Sequence, residues 1–340
     1  MRYLWIALFS WVWSLCLWAQ GDSATVSIMA VGDIMMGASL EPAIKQNGPD
    51  HPFARTAPIL SRADIAIGNL EAPFGTKGKP FKKRFTFLVP PSYAGAIKRA
   101  GFDVVALANN HIMDFGPEPL KQTLYTLDSL GLAYSGAGIN LSAARRPAIL
   151  ERNGLKIAFL SYSKVNPPEF WATAGKPGTA PGVAAYIRED IAAAKKQADL
   201  VVVSFHWGAE LMDTPKGYQR DLAHLSIDSG ADLVLGHHPH ILQGLEIYKG
   251  KLIAYSLGNF AFGSRSRKCT QSIILEARMS VSGIEAARLI PICVDNLRTN
   301  FQPYVASGEE ARTILENLRR ISKPLGVDFA ASDTVTWLRF

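Results

Sequence analysis

Three histidines fall within the five positions Gly236-His237-His238-Pro239-His240, directly after a mostly apolar run at residues 231–235. Two more stand in comparable places. His206 follows the apolar residues 200–204 in Phe205-His206-Trp207-Gly208, and His111 follows residues 104–108 in Asn109-Asn110-His111. Carboxylates recur in the same way: Asp33 comes after residues 26–31 and Gly32, and Glu71 ends Gly68-Asn69-Leu70-Glu71 after residues 63–67. Imidazole is the commonest protein ligand for zinc-like ions. Imidazoles, carboxylates and a side-chain amide together suit one or two divalent ions of zinc, manganese or iron. No cysteine lies near these points, which argues against a structural zinc site. Gly and Asn at strand ends are ordinary turn residues, and that reading stays open for Asn69, Asn109 and Asn259 one at a time. Five polar termini, each after an apolar run, exceed what turns require. The set at these ends is Asp33, Asn69 with Glu71, Asn110 with His111, His206, and His238 with His240. A cation held there brings the pKa of a bound water toward ~7.

Such a set needs strands that deliver their ends to one place. The chain repeats a strand, loop and helix unit, with strands expected at 26–31, 63–67, 104–108, 155–161, 200–204, 231–235 and 252–255. Helices are expected at 92–99, 117–130, 187–198 and 218–229, so the class is α/β. His224 falls inside the last of these helices as a packed or surface residue. Gly236 is expected to let the backbone turn, so that His238 and His240 aim at one point. The later part differs: residues 272–279 and 285–292 read as antiparallel strands around Ser282-Gly283, and 309–321 as an amphipathic helix. Residues 76–91 read as a hairpin or projecting loop carrying Lys77, Lys79, Lys82, Lys83 and Arg84. That run is either a solvated face or a guide for an anionic substrate, with Lys82, Lys83 and Arg84 as the binding residues. The Pro- and Gly-rich loop at 164–182 is long enough to be functional or mobile.

The chain has 340 residues, 48% hydrophobic and 19% charged, and a formal charge of +7. This is a globular mix with a mild basic excess. It fits a polyanionic substrate or an anionic membrane surface, and it lacks the basic block of a nucleic-acid-binding protein. Arg2 is the only charge in residues 1–19, and 3–18 are almost uninterruptedly apolar, so a secretory signal ending near Ala19 is expected; an uncleaved anchor is the alternative. The protein is therefore expected outside the cytoplasm, secreted or periplasmic. No repeat or linker divides the remainder, which reads as one domain over 25–325 and a tail over 326–340. Cys16 lies in the leader. Cys269 and Cys293 are left, and spacing does not decide whether they pair.

The order Gly-Asp, Gly-Asn-Leu-Glu, Asn-Asn-His, His-Trp-Gly, Gly-His-His-Pro-His and Ser-Leu-Gly-Asn-Phe resembles the CapA family of bacterial capsule and poly-γ-glutamate synthesis proteins, within the calcineurin-like metallophosphoesterase superfamily. The likeness runs from about Val26 to Phe262. It implies a β-sandwich of two mixed sheets flanked by α-helices, with metal at the strand ends. It implies Asp33, Asn110, His206, His238 and His240 as metal ligands and His111, beside Asn110, as the histidine that assists catalysis. Two positions depart from the superfamily. Met35 stands where a histidine ligand is usual, and a thioether is a poor substitute for a borderline cation. Asn69 stands at the bridging aspartate, which leaves Glu71 to bridge and makes Asn69 a residue for the substrate side. His237 has no counterpart. The resemblance implies an anionic polymer or phosphoester as ligand, a membrane-bound polymer synthase as partner and no nucleic acid. It leaves two functions open, a metal-dependent hydrolase or a non-catalytic polymer-binding accessory. A binding module with a structural ion is a third, plainer reading.

Overall fold

The computed structural model describes residues 24–340; the expected leader at 1–19 lies outside the described residues. Strands are numbered β1 to β17 in chain order. One sheet runs β16 (Tyr304–Val305), β15 (Gly283–Cys293), β14 (Gln271–Ser280), β1 (Thr25–Met35), β2 (Ile65–Leu70), β3 (Val104–Ala106) and β4 (Ala133–Ser135). To it are added β13 (Asn259–Phe262) on β1 and β17 (Thr336–Arg339) on β15. The second runs β11 (Leu242–Tyr248), β12 (Lys251–Leu257), β10 (Leu233–His237), β9 (Leu200–His206), β7 (Leu155–Ser163) and β6 (Ala148–Arg152). A short pair, β5 (Ala137–Gly138) and β8 (Gly178–Thr179), stands apart.

Period-two alternation builds the layers. On β1, Ile28 and Ala30 face the second sheet, while Met29 and Val31 face helices. On β9, Leu200 and Val202 turn inward, while Val201 and Val203 turn to the other helical layer. The inner core thus lies between the sheets. The helices Glu41–Asn47, Ala94–Arg99 and Pro117–Ser129 line one outer face, and Ala184–Ala194 and Gly217–Asp228 the other. Both sheets mix parallel and antiparallel pairs, so the expected sandwich of two mixed sheets flanked by helices is what forms.

The parallel strands position the chemistry. β1, β2, β3 and β4 run parallel, as do β7, β9, β10 and β12. Each set therefore brings its C-terminal ends to one edge, where α/β sheets carry their sites. Register then sets the rows. Asn259, Asp33 and Asn69 are neighbours across β13, β1 and β2, and Ser163, His206 and His237 across β7, β9 and β10.

Several expectations are corrected. Gly236 makes no turn; it lies inside β10, where a Cβ would sit 1.9 Å from the Tyr255 carbonyl oxygen and 2.7 Å from Trp207 Nε1. Close packing requires the glycine. The turn is made by His238 and His240 themselves, at φ 96° and 60°, a region that L-residues enter at a cost. Of the two forms expected for residues 76–91, the loop is the one that forms, closed by one isolated bridge, Phe74 to Val89. The helix expected at 187–198 spans Ala184–Ala194, and the chain beyond it runs into β9. The segment 326–340 is more than a tail, because β17 pairs along β15 and Val327, Phe329 and Leu338 enter the inner core. Cys269 and Cys293 are both buried free thiols.

Candidate metal centre

Asp33 is carried to the sheet edge by a close crossing of chains. A Cβ on Gly32 would lie 1.8 Å from the Gly258 carbonyl oxygen, and the Asp33 N–H donates to that same oxygen at 3.0 Å. The carboxylate is fully buried. It accepts from Asn69 Nδ2 at 2.8 Å and from the His238 N–H at 3.3 Å, and lies 3.2 Å from His240 Nδ1 and 3.4 Å from His237 Nδ1. Burial alone would raise its pKa; the His237 and His240 imidazoles beside it outweigh that and hold it well below the usual carboxylate range.

Glu71, from the end of β2, reaches the middle of the cluster. Its Oε1 is buried without a hydrogen-bond partner. Around that oxygen stand His206 Nε2 at 3.7 Å, His240 Nε2 at 3.8 Å and His111 Nε2 at 3.9 Å. Burial raises the Glu71 pKa well above the ordinary value, and the Asp33 charge raises it further. Burial pushes His206 well down and His238 down to about 3, with nearby imidazoles adding to the effect. Burial also works against charge on His240, but the Asp33 hydrogen bond prevails and raises it. Neutral imidazole is the ligand form, and metal binding displaces protons.

Two overlapping groups have ligand atoms within 4.8 Å of one another: Glu71, His238 and His240, and Asp33, Glu71 and His206. Glu71 belongs to both. The orphaned Glu71 Oε1 and the equally unpartnered, buried His238 Nδ1 are free to act as ligands, since buried polar atoms are otherwise paired. Asn110 Oδ1 lies 2.7 Å from His206 Nε2 and so joins this set. The donors fit a divalent ion.

The other expected residues separate by environment. Lys83 enters the site: its ammonium donates to the Asn110 carbonyl at 2.5 Å and pairs with Asp114 Oδ1 at 2.5 Å. Burial lowers its pKa despite Asp114. Lys82 and Arg84 are exposed on the same loop. Asn69, expected toward the substrate, is buried and fully engaged: Nδ2 reaches Asp33, Glu71 and His206, and Oδ1 accepts from Asn109 Nδ2. It ties the carboxylates together where no solute reaches. Met35 Sδ accepts the Gly37 N–H at 3.2 Å and packs in the outer core.

Four residues were given no role at the centre by the sequence reading. Asp114 Oδ2 lies 2.7 Å from His111 Nδ1, which leaves His111 Nε2 facing Glu71; burial, opposed by Asp114, lowers the His111 pKa. The spacing His-x-x-Asp was its only signal. Asn259 Oδ1 lies 3.0 Å from His240 Nδ1. His237, without an assigned role, has both ring nitrogens buried and unpartnered by any good hydrogen bond. Glu210, exposed on the loop after β9, adds negative potential at Glu71, Lys83 and His240. His224, by contrast, bonds Glu246 at 2.9 Å and stacks on Tyr248, as a packed helical residue does. A cavity of about 760 Å³ beside Asn140, Arg145 and Asp190 shares no residue with the centre.

Comparison with known proteins bears on this arrangement. A family model described as "Bacterial capsule synthesis protein PGA_cap" matches residues 27–264. The chain is 34% identical over 301 residues to the PGA biosynthesis protein CapA of Bacillus subtilis (strain 168), covering 87% of this chain and 78% of that one. It is 32% identical to the capsule biosynthesis protein CapA of Bacillus anthracis, over 80% and 68% of the two chains. Among solved structures, the NAD nucleotidase of Haemophilus influenzae aligns at a TM-score of 0.45 and 13% identity, over 92% of this chain and 58% of that one. A 5'-nucleotidase precursor from Thermus thermophilus aligns at 0.47 and 12%, over 83% and 54%. With its matched region running from β1 through the strand ends that carry Asp33, Glu71, His206 and His240, the chain belongs to the bacterial capsule synthesis protein PGA_cap family.

Proposed function

We propose that this protein is an extracytoplasmic, metal-dependent hydrolase of capsule or poly-γ-glutamate synthesis, acting on a phosphoester or on the polymer itself. The observation that carries the proposal is Glu71 Oε1, buried and unpartnered, with three imidazole nitrogens 3.7–3.9 Å away. Asp33, Glu71, Asn110, His206, His238 and His240 would hold one or two divalent ions. Such an ion supplies Lewis acidity and a water that is nucleophilic near neutral pH.

The chain's own groups do the rest. Asp114 fixes the His111 ring, so that Nε2 faces the centre and can give a proton to a leaving oxygen or take one from an attacking water. Lys83 holds Asp114 from the other side and adds positive charge where an anionic substrate would approach. Asn69 Nδ2 donates to both Asp33 and Glu71 and so fixes their direction. The relatives named for capsule and PGA synthesis supply the biological setting of the reading.

The purified mature chain should carry divalent metal and hydrolyse p-nitrophenyl phosphate, and His240→Ala should lose both. Metal bound without turnover of any ester or of polyglutamate would instead support the second reading, a polymer-binding accessory. Met35 and Asn69, at positions where the superfamily carries a histidine and an aspartate ligand, favour that second reading.

A further inference from the structure

Two basic segments flank the centre, and only one was legible as a cluster. The first is the loop bearing Lys77, Lys79, Lys82 and Arg84. The second is Arg265-Ser266-Arg267-Lys268, which leaves the end of β13. All seven of these cations are exposed. None forms an ion pair with a carboxylate among the described residues, whereas Lys45, Arg99, Arg145, Lys249 and Arg319 each do. An unpaired group of like charges repels itself, and an anionic partner relieves that repulsion.

Their roots meet over the site. Phe87, which closes the first loop, lies 4.5 Å from the His111 ring, and Phe262, which opens the second, lies 4.8 Å from the His240 ring. The two phenyl rings are edge to face at 6.4 Å. Both roots are pinned. The Phe87 N–H donates to Asp114 Oδ2 and the Phe81 N–H to the Asp114 carbonyl, each at 2.7 Å. On the other side Asn296 Nδ2 donates to the carbonyls of Phe262 and Ser264, and Ser39 Oγ to that of Gly263.

We propose that Arg265, Arg267 and Lys268 form a second cationic arm which, with Lys77, Lys79, Lys82 and Arg84, holds a polycarboxylate chain across the metal centre. The inference rests on the functional reading above for the ligand's class and adds its binding track. A small monoester needs one clamp beside the ion. Cations on two arms, one rooted against the His111 ring and the other against the His240 ring, suit a ligand with repeating charge. A ligand touching both arms must cross over the packed Phe87 and Phe262 rings, which a flexible chain can do and a flat bilayer cannot.

The test is binding of fluorescent poly-γ-glutamate to the full metal-loaded protein over a range of salt. Charge reversal in the second arm (Arg265→Glu with Arg267→Glu and Lys268→Glu) should weaken binding about 10-fold or more at about 50 mM salt and flatten its salt dependence. Reversal of Lys77, Lys79 and Lys82 should do the same. Metal content and thermal midpoint should stay unchanged, and Arg265→Lys with Arg267→Lys should restore affinity. Wild-type affinity in the second-arm variant, or no polymer binding by the native chain, overturns the proposal. So does equal affinity for anionic phosphatidylglycerol vesicles or for single-stranded DNA. Polymer binding without turnover of any ester or of polyglutamate would remove the hydrolase reading and leave the two arms standing; ester turnover without polymer binding would do the reverse.

Discussion

Asp114 is the residue whose removal separates orientation from metal binding. It contacts His111 Nδ1, the Lys83 ammonium and the Phe87 N–H, and it touches none of the ligand atoms. Asp114→Asn should therefore lower turnover roughly 10–100-fold, the range seen when an orienting partner is lost, with metal content unchanged by elemental analysis. Equal loss of metal would show that Asp114 supports the ligands instead. Glu71 makes a second prediction. Its pKa is raised by burial and by Asp33, and a carboxylate must lose its proton to bind metal. Protons then compete at a pH above the ordinary carboxylate range, so affinity is full when Glu71 is ionised and falls as pH drops through its raised pKa. Metal titration at stepwise lower pH checks this; a decline confined to pH below ~4.3 would contradict it.

Among the elements, β10 and β1 work through glycines that permit contact. Gly236 lies against Tyr255 and Trp207, and Gly32 against Gly258. Gly236→Ala should destabilise the fold by about 1–3 kcal/mol, the usual cost of overpacking, or more given the backbone clash. It should also displace His237 and His238, which follow directly. Urea denaturation together with metal analysis measures both effects, and a stable variant with full metal would refute the packing argument. The loop between Phe74 and Val89 is held differently, by three contacts to Asp114 rather than by a hairpin ladder. One carboxylate thus joins a basic loop to the histidine it overhangs.

Over the whole molecule, the inner core depends on the last fifteen residues. Val327, Phe329 and Leu338 are 4%, 9% and 5% exposed within the core between the sheets, and β17 covers β15 from Ala286 to Leu289. Deleting residues 326–340 removes three buried apolar side chains, each worth roughly 1.5–3 kcal/mol. The denaturation midpoint should fall accordingly; an unchanged midpoint would mean that β17 contributes no stability. Among the described residues, no helix is long and apolar enough to cross a membrane.

The sequence carried the strand ends. Runs such as Val26 to Val31 and Leu200 to Ser204 are too apolar to be anything but buried, and each stops at a polar residue, so Asp33, Glu71, His111 and His206 were legible as termini. Local rules act over a few residues, and these signals are local. What they cannot express is which termini meet. Glu71 lies amid imidazoles from three other segments, Asn69 is sealed beneath Asp33, and Asp114 bridges His111 to a loop about thirty residues earlier; each contact is fixed by parallel register and by the packing of one sheet on the other. Met35 looked like a flawed ligand and proves to be core, because a thioether next to Gly37 and Gly263 gains more from apolar packing than from facing a cation. Residue type and spacing decided what chemistry was available, and strand register across two sheets decided which groups share it.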